Sequence, residues 1–227
     1  MAEIPPPAVD SHVTVPPRLR VSAHRHGNEP TMIPQAMAAG VDMIEVDVHL
    51  FWSRLEVRHA KALGPLPLMF DRGEPWRWRP ALPELHEVVT AIGPSGVLHI
   101  DLKGWRPRLA HRVAATAKAQ DRYVVSARCW WLLRPFHSLE HVQTMHSIGS
   151  PRQLRWFHRR HRDRVVDAVG INADMADEAT VSALRRRAGT VYSWNVTSVE
   201  QALALHAIGV DVVIVDSLEI AAAITGS

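Results

Sequence analysis

The sequence predicts a single (β/α)8 TIM-type barrel with a small hairpin and loop insertion after the second strand. Short β-rich apolar runs alternate with helix-like spacings, which implies a parallel sheet with crossover helices. About eight such units fit within roughly 200 residues, the size at which the sheet closes into a barrel. No GxGxxG follows a strand, as a dinucleotide-binding, doubly wound sheet would require. The 227 residues are 47% hydrophobic, enough for one full core.

Taken in order, residues 1–17 (MAEIPPPAVDSHVTVPP) are proline-rich and are expected to form an arm ahead of a barrel domain at 18–227. RVSAH (20–24) reads as the first strand. PTMIPQAMAAG (30–40) reads as a helix that starts near Pro34 and ends at Gly40. VDMIEVDVHL (41–50) is the second strand, and FWSR (51–54) the tip of a hairpin that returns through LEVRH (55–59). Residues 60–96, broken by Pro65, Pro67, Pro75, Pro80 and Pro83, read as an irregular insertion. VLHIDLKG (97–104) is the third barrel strand and RPRLAHRVAATAKAQ (106–120) its helix. YVVSAR (123–128), HVQTMHS (141–147), DAVGIN (167–172), TVYSWNV (190–196) and VDVVIVD (210–216) complete the strands. WWLLRPF (130–136) is a short helix. Further helices are expected through Leu154 and Phe157, and over 177–188, 198–208 and 218–224.

Strand side chains alternate between two faces. In IEVDVH, Glu45, Asp47 and His49 therefore share a face opposite Ile44, Val46 and Val48. In LHIDLK, His99, Asp101 and Lys103 oppose Leu98, Ile100 and Leu102. In a barrel one face is covered by helices and the other points inward, so charged residues near the strands' carboxyl ends meet at the mouth. Burying Glu45, Asp47 and Asp101 together is costly without compensation. A divalent cation supplies it most simply, and hard oxygen ligands favour Mg²⁺ or Ca²⁺. Pairing with Lys103 and Arg25 is the alternative. His24 ends the first strand and His59 ends the hairpin, where two imidazoles beside a cation offer acid and base. Arg25 and Lys103 suit a phosphate-bearing substrate.

Composition narrows the classes. The formal charge is +3, with arginine runs at 155–164 and 185–187 that read as solvated helix faces. The single cysteine, Cys129, excludes an intramolecular disulfide framework. With neither a signal-like leader nor a long apolar run, the expected location is cytoplasmic, and no nucleic-acid partner is expected. Eight tryptophans, Trp76, Trp78, Trp130 and Trp131 among them, raise the alternative of transient contact with a membrane surface. Oligomeric state is not readable.

The ordered motifs resemble the glycerophosphodiester phosphodiesterases of the phospholipase C-like barrel superfamily, over about residues 20–220. AHRHG matches that family's His-Arg-Gly at His24 and Arg25, with His26 in the glycine's place. NEPT (28–31) keeps Glu29 and Thr31 of Glu-Asn-Thr but carries Pro30. IEVDV (44–48) is intact. VRH (57–59) supplies the second histidine, with Ala60 where an aspartate is usual. Asp101-Leu102-Lys103 stands for Glu-x-Lys, WNVT (194–197) for Trp-Thr-Val-Asn, and GVDVVIVD (209–216) for Gly-Val-Asp…Thr-Asp.

The resemblance implies a metal-dependent phosphodiester hydrolase of lipid metabolism that cleaves glycerophosphodiesters to an alcohol and glycerol phosphate. It implies one divalent cation on Glu45, Asp47 and Asp101 with Glu29 as a further ligand, His24 and His59 as the acid–base pair, and Arg25 and Lys103 on the phosphate. Trp194 would wall the pocket. The alternatives are a lysophospholipid-directed, phospholipase D-like enzyme at a membrane surface and a non-catalytic barrel that binds a phosphorylated ligand. The departures at His26, Pro30, Ala60 and Asp101 are expected to mark an unusual substrate rather than a dead site.

Overall fold

The structure, a computed structural model, describes residues 18–62, 69–71, 74–76, 81–94 and 96–226. The proline-rich lead at 1–17 lies outside the described residues, as do Pro65, Pro67, Trp78 and Pro80. The strands are β1 (Arg20–Ala23), β2 (Met43–Phe51), β3 (Arg54–Val57), β4 (Lys61–Ala62), β5 (Met69–Asp71), β6 (Glu74–Trp76), β7 (Leu98–Lys103), β8 (Tyr123–Ala127), β9 (Val142–Ile148), β10 (Val166–Asn172), β11 (Ala188–Val196) and β12 (Val212–Val215). The α-helices are α1 (Ile33–Ala38), α2 (Leu85–Ile92), α3 (Pro107–Thr116), α4 (Pro151–Arg160), α5 (Glu178–Arg185), α6 (Val199–Ala207) and α7 (Leu218–Thr225).

Pairing of β1 with both β12 and β2 closes β1, β2 and β7–β12 into a parallel ring of eight strands. This is the predicted (β/α)8 barrel. The predicted hairpin is present: β3 pairs antiparallel with β2, Val48 opposite Val57, and turns at Trp52 with φ 52°. The position of WWLLRPF carries a 3-10 helix, Trp130–Phe136, with Pro135 inside it. The loss of an amide donor at that proline suits the tighter form.

The insertion is shorter than the sequence reading of 60–96. Its first part forms a small sheet, β4–β5–β6, but its last part is α2, the crossover helix that leads into β7. Leu85, Val88, Val89 and Ile92 recur at i, i+3, i+4 and i+7 and are buried. A reciprocal capping box between Glu84 and Glu87 starts the helix. The prolines upstream hide this regular segment from a composition-based reading.

The alternation read from β2 and β7 holds. Ile44, Val46, Val48, Leu98, Ile100 and Leu102 pack outward into the layer between barrel and helices. Inside the barrel an apolar plug of Met43, Val124, Met145, Ala168, Tyr192, Val212 and Ile214 fills the lower half. Gly170 leaves room in it for Met145, whose sulfur would sit 3.1 Å from an added Cβ. The charged inward residues of β2 and β7 lie above this plug, while Gln143 and Thr190 satisfy one another and the Tyr192 hydroxyl at the amino-terminal end.

Candidate active site

Register builds the acidic centre. β2 and β7 run parallel with Glu45 beside His99, Asp47 beside Asp101 and His49 beside Lys103. One oxygen from each of Glu45, Asp47 and Asp101 can lie within 4.8 Å of the others. Glu45 and Asp47 are 3% and 0% exposed, so no water shell screens them. Burial, reinforced by Asp47, pushes the Glu45 carboxyl well above the usual carboxylate range. Burial also opposes ionisation of Asp101, but the Lys103 ammonium and the Ser126 hydroxyl outweigh it and hold that group low.

Both forms of compensation expected from sequence bear on this centre. Lys103 hydrogen-bonds Asp101 and brings its Nζ within 2.7 Å of Asp47 Oδ1. Its pKa is raised: burial opposes this, and the three carboxylates prevail. The approach to Asp47 Oδ1 is a close ion pair whose angles fall short of a hydrogen bond. Arg25 Nε stands 3.6 Å from Asp47 Oδ2 and makes no hydrogen bond among the described residues. Three formal negative charges thus face two cations, and the three carboxylates form a hard oxygen donor set within one small space. These residues fit a divalent cation.

The turn after β1 brings its residues onto this centre. Arg25 adopts a left-handed conformation, φ 61°, and its backbone N–H donates to Glu45 Oε2 at 2.6 Å. Gly27 lies flat on β2, where a Cβ would run into Val46 Cγ1. Asn28 clasps Asp47 twice: its amide donates to Oδ2 at 3.0 Å, and its carbonyl accepts the Asp47 backbone N–H at 2.8 Å. Glu29, the expected fourth metal ligand, is exposed and is not among the three clustered carboxylates; the neighbouring Asn28 contacts Asp47. The other departures are absorbed locally. His26 Nδ1 donates to the His24 carbonyl at 2.9 Å, and Pro30 opens a 3-10 turn at a position that needs no donor.

His24 Nδ1 is 2.6 Å from Asp216 Oδ1, just past the end of β12. The carboxylate accepts a hydrogen bond from Nδ1–H, which leaves Nε2 as the nitrogen for proton transfer. Asp216 was visible in the sequence only as the last letter of VDVVIVD; its partner lies 192 positions away. His59 follows β3 and is half-buried. Its loop is anchored by Arg58, whose backbone N–H reaches the Asp47 carbonyl at 2.9 Å and whose guanidinium bonds Glu56 and the Ala60 carbonyl. Ala60 itself is buried. A buried arginine on its carbonyl therefore holds the loop where the resembling family has an aspartate side chain.

A cavity of about 1260 Å³ at the carboxyl-terminal mouth is lined by His24, Arg25, Glu45, His59, Asp101, Lys103 and Trp194, with Asp47 directly behind. Trp194 is placed there by a register shift in β11 at Asn195, φ 63°. Its indole N–H is buried and has no hydrogen-bond partner among the described residues. Beneath Asp101, Ser126 donates to Oδ1 at 2.7 Å, so its oxygen accepts from His99 Nε2 at 3.2 Å. His99 Nδ1 then accepts from Ser22 at 3.2 Å. Sequence reasoning did not foresee this relay, since Ser22 and Ser126 carry no motif.

No family model and no curated protein matches the chain. Solved structures do. A glycerophosphodiester phosphodiesterase from Thermotoga maritima superimposes with a TM-score of 0.70 at 19% identity, over 89% of this chain and 96% of its own. A phosphodiesterase from Oleispira antarctica, solved with the product sn-glycerol-3-phosphate, gives 0.71 at 17% identity, over 92% and 97%. The chain has the fold of these phosphodiesterases. A glycerophosphoryl diester phosphodiesterase domain from Mycobacterium tuberculosis gives 0.64 at 21% identity, over 91% and 98%.

Proposed function

We propose that this barrel is a metal-dependent phosphodiester hydrolase that cleaves glycerophosphodiesters to an alcohol and glycerol phosphate. The observation that carries the reading is the convergence of His24, His59, Arg25, Lys103 and the carboxylate trio on one cavity. The likeness in fold to phosphodiesterases, one of them with glycerol phosphate bound, supports it.

Glu45, Asp47 and Asp101 would hold one Mg²⁺ or Ca²⁺, which when bound neutralises phosphoryl charge and eases loss of a proton from the attacking hydroxyl. Arg25, with its unsatisfied Nε, would take a phosphoryl oxygen, and Lys103 would share its donors between the carboxylates and the phosphate. His24 Nε2 would accept the proton of the attacking hydroxyl, from water or from a neighbouring alcohol of the substrate, while Asp216 stabilises the imidazolium. His59 would protonate the departing alkoxide. The Trp194 N–H would bond a hydroxyl of the glycerol or alcohol group.

Turnover of a chromogenic phosphodiester after chelation and Mg²⁺ or Ca²⁺ add-back tests the metal; activity that persists without any divalent ion refutes it. His59→Ala, with the cation still bound by titration, should lose about 10²- to 10⁴-fold in kcat. Near-normal turnover would remove His59 from the mechanism. A second reading, cleavage of lysophospholipids, is favoured by Trp52 and Trp105 at the rim, which are 72% and 66% exposed. Comparing a lysophospholipid with its deacylated headgroup diester discriminates the two.

A further inference from the structure

The rim of the cavity has a charge pattern that the hydrolytic machinery does not use. Lys61, Arg106, Arg108 and Arg128 line it, each on a loop or element that follows the carboxyl end of a strand. None has a carboxylate partner among the described residues, and all four are exposed. Arg54 and Arg58, the arginines nearest Lys61, are by contrast committed to Glu84 and Glu56. The acidic residues lining the cavity, Glu45 and Asp101, lie deep, on β2 and β7.

The aromatic surfaces point the same way. The Arg106 guanidinium carbon sits 5.9 Å from the Trp105 ring centre, and that of Arg128 sits 5.5 Å from Trp194. A cationic alcohol such as choline or ethanolamine is recognised on open aromatic faces. Here a guanidinium already occupies one face of each ring, and it would repel a second cation. The supports are built in: the Trp105 carbonyl accepts the Trp131 indole N–H at 3.1 Å, which fixes the loop that carries Arg106.

We propose that the alcohol side of the substrate carries its own negative charge, a second phosphate or a carboxylate, and that Arg106 and Arg128 bind it. The turnover part rests on the hydrolase reading above; the binding part does not. Unpaired guanidinium groups over rings are preorganised for bidentate contact with such an anion. The anion belongs either to a soluble diester or to an anionic lipid headgroup.

The test compares kcat/KM for glycerophosphocholine, glycerophosphoglycerol and glycerophosphoglycerol bearing a terminal phosphate. The phosphorylated diester should exceed the choline diester by about tenfold or more, a contrast that shrinks as salt is raised. Arg106→Ala/Arg128→Ala should collapse that ratio toward one, and Arg128→Glu should tilt it toward choline. The same comparison with lysophosphatidylglycerol phosphate, whose terminal phosphate supplies the anion, and lysophosphatidylcholine assigns the anion to a lipid if the contrast appears only there. Calorimetric binding of glycerol 1,3-bisphosphate against glycerol 3-phosphate covers the case of no turnover. Tighter bisphosphate binding that the double variant loses would then sustain the anion site while the hydrolase reading falls. A preference for the choline diester, a ratio unchanged in the double variant, or equal binding of the two phosphates overturns the proposal.

Discussion

Asp216 shows how much of this site depends on a single unassuming residue. Its oxygen is 2.6 Å from His24 Nδ1, and among the described residues no other hydrogen bond fixes that ring's tautomer. Asp216→Asn removes the charge that would stabilise a protonated ring, so kcat should fall about 10- to 100-fold with KM little changed. In a His24→Ala background the same substitution should add almost nothing, because the two act as one unit. Equal losses in both backgrounds, measured by steady-state kinetics, would separate Asp216 from His24. His24 and His59 were legible as strand-end histidines; Asp216 was not, because nothing local in VDVVIVD says which loop its last residue faces. Glu29 is exposed and is not among the three clustered carboxylates. Its motif position suggested a ligand, whereas in this turn it is Asn28 that contacts Asp47.

At the scale of elements, the short turn between β1 and α1 matters more than its length suggests. It presses Gly27 against β2, and through it Arg25 caps Glu45 while Asn28 clasps Asp47. In Gly27→Ala the new Cβ would collide with Val46 and lie 3.2 Å from the Glu45 carbonyl oxygen. β2 is hydrogen-bonded on both sides and cannot yield, so the turn must lift. The expected cost is about 1–3 kcal/mol of stability. Thermal melts with and without Mg²⁺ should also show a smaller cation-induced rise in Tm than in the natural protein, because the carboxylates lose their supports. An undiminished rise would mean that the turn does not organise the trio. The strands of the barrel were readable because each carries its alternation locally. α2 was obscured by the prolines before it, although its own i, i+3, i+4, i+7 pattern is regular.

Across the whole molecule, the barrel keeps several histidines neutral inside it. His146 and His161 lie 4.8 Å apart, ring centre to ring centre, in an aromatic cluster with Trp130 and Phe157, away from the catalytic cavity. Burial, with neighbouring cationic groups, lowers His146 to about 3 and His161 to about 4, against 6.5 for a free imidazole. Between those limits the unfolded chain binds more protons than the folded one, so stability falls as pH drops from about 6.5 toward 3. Melting temperatures taken across that window should decline with falling pH, and His146→Phe should flatten the decline. An unchanged slope in that variant would assign acid lability elsewhere.

By itself the sequence determined the barrel, the inward face of β2 and β7, and the residue types able to do phosphoryl chemistry. All three are encoded in short-range periodicity: alternation along strands and 3.6-residue spacing in helices. Only the tertiary structure decided that Asp47 and Asp101 stand abreast, that Asp216 reaches His24, that Arg58 holds the His59 loop in place of an aspartate at position 60, and that four rim cations go without carboxylate partners among the described residues. The physical reason is that these relations depend on strand register and ring closure, which join residues up to 192 positions apart and leave no trace in the spacing of either one.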